Sequence, residues 1–120
     1  MKKILIYARD PGGANAVLPL YLPLKNGGCE VVLCGKEFAL LRYKEFGLDG
    51  IDIEGVVEEI DKIHVRAWLK QMKFDVVVTG TSGEDKSERI FWDACKKMKL
   101  KTLVVLDHWV NYAIRFSNFG

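Results

Sequence analysis

The run Ile4-Leu5-Ile6-Tyr7-Ala8, followed at once by Arg9-Asp10-Pro11-Gly12-Gly13-Ala14-Asn15-Ala16, decides the fold. Five apolar residues in succession leave no polar side to face water. Such a segment is covered on both faces, as in a parallel sheet sandwiched between helices. The glycine turn behind it opens a stretch of helical period. Three similar bursts follow, Val31 to Cys34, Val76 to Val78 and Leu103 to Leu106, with a weaker one at Gly50 to Ile53. Their β-branched and aliphatic residues suit a buried pleated surface.

Between the bursts the period changes to 3.6. From about Asp85 to Lys99, Ile90, Phe91, Ala94, Cys95 and Met98 form one stripe, and Lys86, Glu88, Lys96 and Lys97 take the other side. A second helix, roughly Val57 to Met72, sets Val57, Ile60, Ile63, His64, Ala67 and Trp68 on one face, and a third covers Glu37 to Phe46 with Gly47 as its stop. Pro19 and Pro23 fall inside Ala16 to Lys25, so a kink or a late start is expected there, with Asn15 as N-cap and Asn26-Gly27-Gly28 as the end. Strands and helices in alternation, joined by right-handed crossovers, give an α/β fold: a three-layer, doubly wound parallel sheet of Rossmann-like type with order 3-2-1-4-5. His108 to Gly120, with Trp109, Val110, Tyr112, Ile114, Phe116 and Phe119, is unusually apolar for a terminus; it reads as a last helix or as a run into further structure.

A chain of 120 residues makes one domain. Hydrophobic residues at 49% and charged residues at 28% exclude a disordered or low-complexity chain. Eighteen basic against sixteen acidic residues leave +2, without the asymmetry of a nucleic-acid-binding domain. Cys29, Cys34 and Cys95 lie in apolar stretches without metal-ligand spacing and read as reduced core cysteines, so no metal is expected. No run approaches 18 apolar residues, and the burst after Met1-Lys2-Lys3 is too short for a signal peptide. The expectation is a cytoplasmic protein that does not span a membrane.

In a doubly wound sheet, ligands bind at the carboxyl ends of strands 1 and 4, where neighbouring crossovers part and open a crevice. After strand 1 come Arg9, Asp10, Gly12, Gly13 and Asn15. A helix start beside residues without side chains favours a phosphate or carboxylate, although two glycines and an Asx residue also make an ordinary tight turn. The loop lacks the Gly-Lys-Ser/Thr of a Walker A motif and the Gly-x-Gly-x-x-Gly of dinucleotide binders, and Glu37 is weak support for a ribose contact. After strand 4 comes Thr79-Gly80-Thr81-Ser82-Gly83-Glu84-Asp85, whose hydroxyls and amides can wrap a sugar or phosphate, or cap the helix that follows. After strand 5, Asp107, His108 and Trp109 reach the same crevice; His108 can serve as acid or base, or pack beneath a loop. His64 reads as a half-buried helix residue, and Trp92 as a contact surface or nothing.

The stretches Gly12-Gly13-Ala14-Asn15-Ala16-Val17-Leu18-Pro19-Leu20 and Lys25-Asn26-Gly27-Gly28-Cys29-Glu30-Val31 register without a gap with the opening of GT-B glycosyltransferases, G-H-x-N-P-x-L-x-L, a helix, then R-G-H-E-V. Gly12, Asn15, Leu18, Leu20, Gly28, Glu30 and Val31 carry the match. The chain thus resembles the N-terminal Rossmann-like domain of a GT-B enzyme or of the related sugar-nucleotide 2-epimerases. The resemblance implies an acceptor-side domain of a glycosyl, or related sugar or polyol-phosphate, transferase. Its partners would be a sugar or phosphorylated acceptor and, through a further C-terminal domain, a nucleotide sugar. No cofactor and no nucleic acid are implied, and a homo-oligomer stays open.

The match covers roughly the first third of the chain and departs at key places. Gly13 stands where many such enzymes have a catalytic histidine, Ala16 replaces the proline and Cys29 the second histidine, so catalytic candidates reduce to Asp10 and His108. Residues 1–120 read as one domain, the N-terminal half of a longer two-domain protein. The alternative is a non-catalytic small-molecule or nucleotide-binding domain using Gly12 and Gly13 as an anion nest. A flavodoxin-like receiver needs an acidic cluster, a second carboxylate and a lysine after strands 1, 3 and 5, and only Asp10 fits.

Overall fold

The computed structural model describes residues 2–9, 11–80, 87–105 and 114–117. In chain order the elements are β1 (Lys3–Ala8), α1 (Pro11–Asn26), β2 (Glu30–Gly35), α2 (Phe38–Glu45), β3 (Ile51–Asp52), a 3-10 turn (Ile53–Gly55), α3 (Lys62–Met72), β4 (Val76–Thr79), α4 (Ser87–Met98), β5 (Lys101–Val105) and β6 (Ile114–Ser117). They form one sheet of order β3-β2-β1-β4-β5-β6. The first five strands are parallel, in the 3-2-1-4-5 order expected from the alternation of elements. Ile6 of β1 lies between Leu33 of β2 and Val78 of β4.

β1 divides its side chains between two cores. Leu5 and Tyr7 join Val65, Trp68 and Leu69 of α3 and Phe91, Ala94 and Cys95 of α4. Ile4, Ile6 and Ala8 join Ala14 and Val17 of α1 and Ala39 and Tyr43 of α2. Leu5, Ile6, Tyr7 and Ala8 are all fully buried, and each of the larger ones contributes about 2 kcal/mol by leaving water. Tyr7 also stacks on Phe91, ring centroids 4.2 Å apart. Tyr43 wedges α2 against the sheet: its hydroxyl donates to the Cys34 carbonyl at 2.9 Å. Its ring lies where a Cβ at Gly50 would come within 2.7 Å and one at Gly35 within 3.0 Å.

Three expectations are corrected. α1 starts at Pro11 rather than at an Asn15 cap, and it runs through both prolines. Pro is tolerated at the first helical position, where no N–H is needed. Pro19 and Pro23 deprive the carbonyls of Asn15 and Pro19 of donors; 15, 19 and 23 share one exposed stripe, where water can serve those carbonyls. α3 begins at Lys62, not near Val57, because Asp61 caps it by accepting the His64 amide at 2.7 Å. Its buried face is therefore Val65, Trp68 and Leu69, while Ile63 stands 68% exposed. Within the apolar terminus, residues 114–117 are strand rather than helix: they pair antiparallel with β5, Leu103 opposite Phe116. An antiparallel strand covers the edge of β5. Trp109, Val110, Tyr112 and Phe119 lie outside the described residues.

The helix ends differ by layer. α1 and α2 close on glycines in the left-handed region, Gly28 (φ 93°) and Gly47 (φ 73°), both as expected. Cys29 N–H donates to the Leu24 carbonyl and Leu48 N–H to that of Tyr43, the paired-bond ending that favours glycine. α3 and α4 instead close on Lys73 and Lys99, each at φ 57°. A side chain in that conformation costs about 1 kcal/mol.

At the other end of α3, His64 Nδ1 lies 2.8 Å from Asp61 Oδ2, and Nε2 lies 3.7 Å from Glu58. The bond to Asp61 raises the His64 pKa above its usual 6.5, and the amide and ring bonds from His64 lower that of Asp61 below its usual 3.8. The His64 contribution to stability is complete below pH 6.5 and fades as pH climbs through the raised folded value. The Asp61 contribution is complete above pH 3.8 and fades as acid titrates the folded carboxylate. Asp61→Asn keeps a capping side chain but removes the charge. Urea midpoints should therefore fall less between pH 6 and 8 in Asp61→Asn than in the parent chain; equal slopes would exclude the pairing.

Candidate functional site

The carboxyl ends of β1 and β4 are adjacent, Tyr7 opposite Thr79. The chain leaves them on opposite faces, into α1 from β1 and toward α4 from β4, the arrangement that opens a crevice in doubly wound sheets. The Gly80 amide donates to the Tyr7 carbonyl at 3.2 Å. Gly80 also lies against the first turn of α1: a Cβ there would stand 2.8 Å from Gly13 Cα and 2.9 Å from its carbonyl oxygen. Those atoms are backbone and cannot swing aside. Two residues without side chains thus bring the amino end of α1, with its partial positive charge, to the β1/β4 junction. Gly12 lies in the same first turn.

Arg9 follows β1 beside this junction. Its Nη2 is 3.2 Å from Glu37 Oε2, and Lys36 Nζ is 3.8 Å from the other oxygen of that carboxylate. The strand end is stitched to α2 by backbone bonds, Lys36 N–H to the Ala8 carbonyl and Ala39 N–H to the Arg9 carbonyl. Glu37 precedes α2 at φ 53°, ψ −113°, and its side chain makes no capping bond. Such backbone costs about 1–3 kcal/mol, and here it places the carboxylate between two cations. Glu37 therefore belongs to an ion cluster, not to a helix cap.

Thr79 is fully buried, and its Oγ1 accepts a hydrogen bond from the Trp92 indole N–H at 2.6 Å. Trp92, off the apolar stripe of α4, ties that helix to the end of β4; an indole off the stripe in sequence was the available signal. Asn15 turns toward α2, where Oδ1 accepts from Arg42 Nε at 2.8 Å. Arg42 continues to Glu45 at 2.8 Å and lies over the Phe46 ring at 4.9 Å. Asp10, Thr81, Ser82, Asp107, His108 and Trp109 lie outside the described residues.

The cysteines are free, with Cys34 and Cys95 buried. Burial pushes the Cys34 thiol up and that of Cys95 to about 11, so neither supplies a thiolate nucleophile at neutral pH. Among the described residues no group of three or more His, Cys, Asp or Glu is placed to hold a metal. The start of α1 lies at the same end of the sheet as Arg9 and Lys36, whose charges already meet the Glu37 carboxylate.

No family model and no curated protein sequence matches the chain. Solved structures do. Acinetobacter baumannii MurG superposes with a TM-score of 0.66 at 20% identity, over 87% of this chain and 34% of that one. The domain has a GT-B-like Rossmann fold. SsfS6, a glycosyltransferase of Streptomyces sp. SF2575, superposes with a TM-score of 0.59 at 16% identity, over 87% and 39%. At these identities the likeness is one of fold, and the chain spans little more than a third of either protein. In this GT-B-like domain the helix start, Arg9 and the end of β4 share one end of the sheet. Gly80→Ala should cost about 1–3 kcal/mol in urea denaturation, because the added methyl meets backbone; an unchanged midpoint would show that the contact yields.

Proposed function

We propose that the chain is the acceptor-side domain of a GT-B-like glycosyl, or related sugar or polyol-phosphate, transferase. It would be the N-terminal half of a two-domain enzyme whose other half holds the nucleotide sugar. The observation that supports this most directly is the approach of Gly80 to Gly13, which aims the start of α1 at the parting of the crossovers. An acceptor phosphate or carboxylate would lie at the α1 start, with Arg9 beside it. The fold shared with MurG and with SsfS6 is consistent with sugar transfer.

A plain anion-binding domain without catalysis draws on the same helix start, and ligand choice separates the two. In a heteronuclear NMR titration with a hexose 1-phosphate and with inorganic phosphate, the amides of Arg9, Gly12, Gly13, Ala14 and Gly80 should shift. The sugar phosphate should bind about tenfold more tightly than phosphate alone, and Arg9→Gln should weaken it by a similar factor, the scale of one charged hydrogen bond. Equal affinity for both ligands would favour the plain anion site. Shifts confined to β3 and the residues around it would remove the site altogether.

A further inference from the structure

Pro19 is a costly residue in the middle of α1, because it has no N–H for the Asn15 carbonyl and its ring crowds that oxygen. It stands on the flank of the helix that meets α2. There Asn15, Leu18, Pro19 and Leu22 form one wall of a groove of about 300 Å³, and Phe46 and Leu48, which follow α2, form the other. Helix geometry sets the Asn15 carbonyl over Pro19, four residues on, so the oxygen that has lost its donor lies along the same wall. Leu18 and Leu48 are half-buried and pack on the core, whereas Leu22 and Phe46 are 60% and 57% exposed.

Arg42 holds the two walls together. Its Nε donates to Asn15 Oδ1 at 2.8 Å, its Nη1 meets Glu45 at 2.8 Å, and its guanidinium carbon lies 4.9 Å from the Phe46 ring centroid. Tyr21, which also borders the groove, has Lys25 Nζ 5.6 Å from its ring centroid. Each ring thus already carries a cation on one face, which disfavours a cationic ligand. An anion gains little, because Glu45 already meets the charge of Arg42 and a carbonyl oxygen repels a carboxylate or phosphate. Apolar walls with one acceptor between them are the elements of a site for a small neutral compound.

We infer that the α1/α2 groove is a small-molecule site for a neutral, largely apolar compound of one or two rings, whose single O–H or N–H donates to the Asn15 carbonyl. The ligand replaces the hydrogen bond that Pro19 removes, and its rings cover Leu22 and Phe46. A volume of about 300 Å³ is at the lower end for ligand pockets and admits a compound of that size but not a larger one. The inference does not depend on what the β1/β4 junction binds.

Heteronuclear NMR titration of the 120-residue chain with indole, and with 1-methylindole, which keeps the rings but has no donor, tests it. Indole should shift the amides of Asn15, Leu18, Leu22, Phe46 and Leu48, and should bind about fivefold more tightly than 1-methylindole, the scale of one hydrogen bond. Tryptamine and indole-3-acetate, its charged analogues, should bind more weakly than indole. In Pro19→Ala a backbone N–H again reaches the Asn15 carbonyl, so the preference for indole over 1-methylindole should vanish while circular dichroism shows the helix retained. Equal binding of the two by the parent chain, a preference that survives Pro19→Ala, or equal or tighter binding of either charged analogue would overturn the inference. So would shifts centred elsewhere. Broadening of the same amides with rising protein concentration before any ligand is added would assign the groove to a second copy of the chain, and would overturn it too.

Discussion

β1 is covered by helices on both of its faces, and the rest of the domain is arranged around that constraint. Leu5 and Tyr7 need α3 and α4; Ile4, Ile6 and Ala8 need α1 and α2. A strand with no wet side must lie in the middle of the sheet, and its neighbours β2 and β4 must be reached by crossovers to opposite faces. The crossovers therefore part at the carboxyl end of β1. Burial in the centre and that parting are two results of one demand.

The same demand explains why the site is made of backbone. Where α1 and the end of β4 converge, Gly13 and Gly80 meet at distances that admit no Cβ. Charge then gathers at the periphery of the junction: Arg9 and Lys36 share the Glu37 carboxylate, and that residue accepts a strained conformation to reach them. Trp92 supports the arrangement from the other face by holding the Thr79 hydroxyl.

Sheet order and the placement of the glycine turn were legible because they rest on long, unbroken apolar runs and on topology. Signals made by one or two residues were harder to read. Asn15 looked like an N-cap, but Pro11 can open a helix without one, and Asn15 bonds Arg42 instead. Val57 continued the apolar period of α3 backwards, yet the Asp61 cap, a three-residue feature, sets the true start. The terminal segment carried the alternation Ile114-Arg115-Phe116-Ser117, which suits a strand, inside a stretch whose overall apolarity masked it. The hydroxyl-rich and His-containing turns fall on positions the structure does not describe, apart from Thr79 and Gly80.

The lysines that close α3 and α4 carry one more implication. Glycine relieves the crowding of a left-handed residue, and helices end on it so often for that reason. Lys73→Gly and Lys99→Gly are therefore ready-made routes to a hardier protein that this chain has left untaken. Natural sequences commonly forgo such gains where a residue has other work to do. An engineer seeking heat tolerance would begin at these two positions, and would learn from any loss of behaviour what the charges were for.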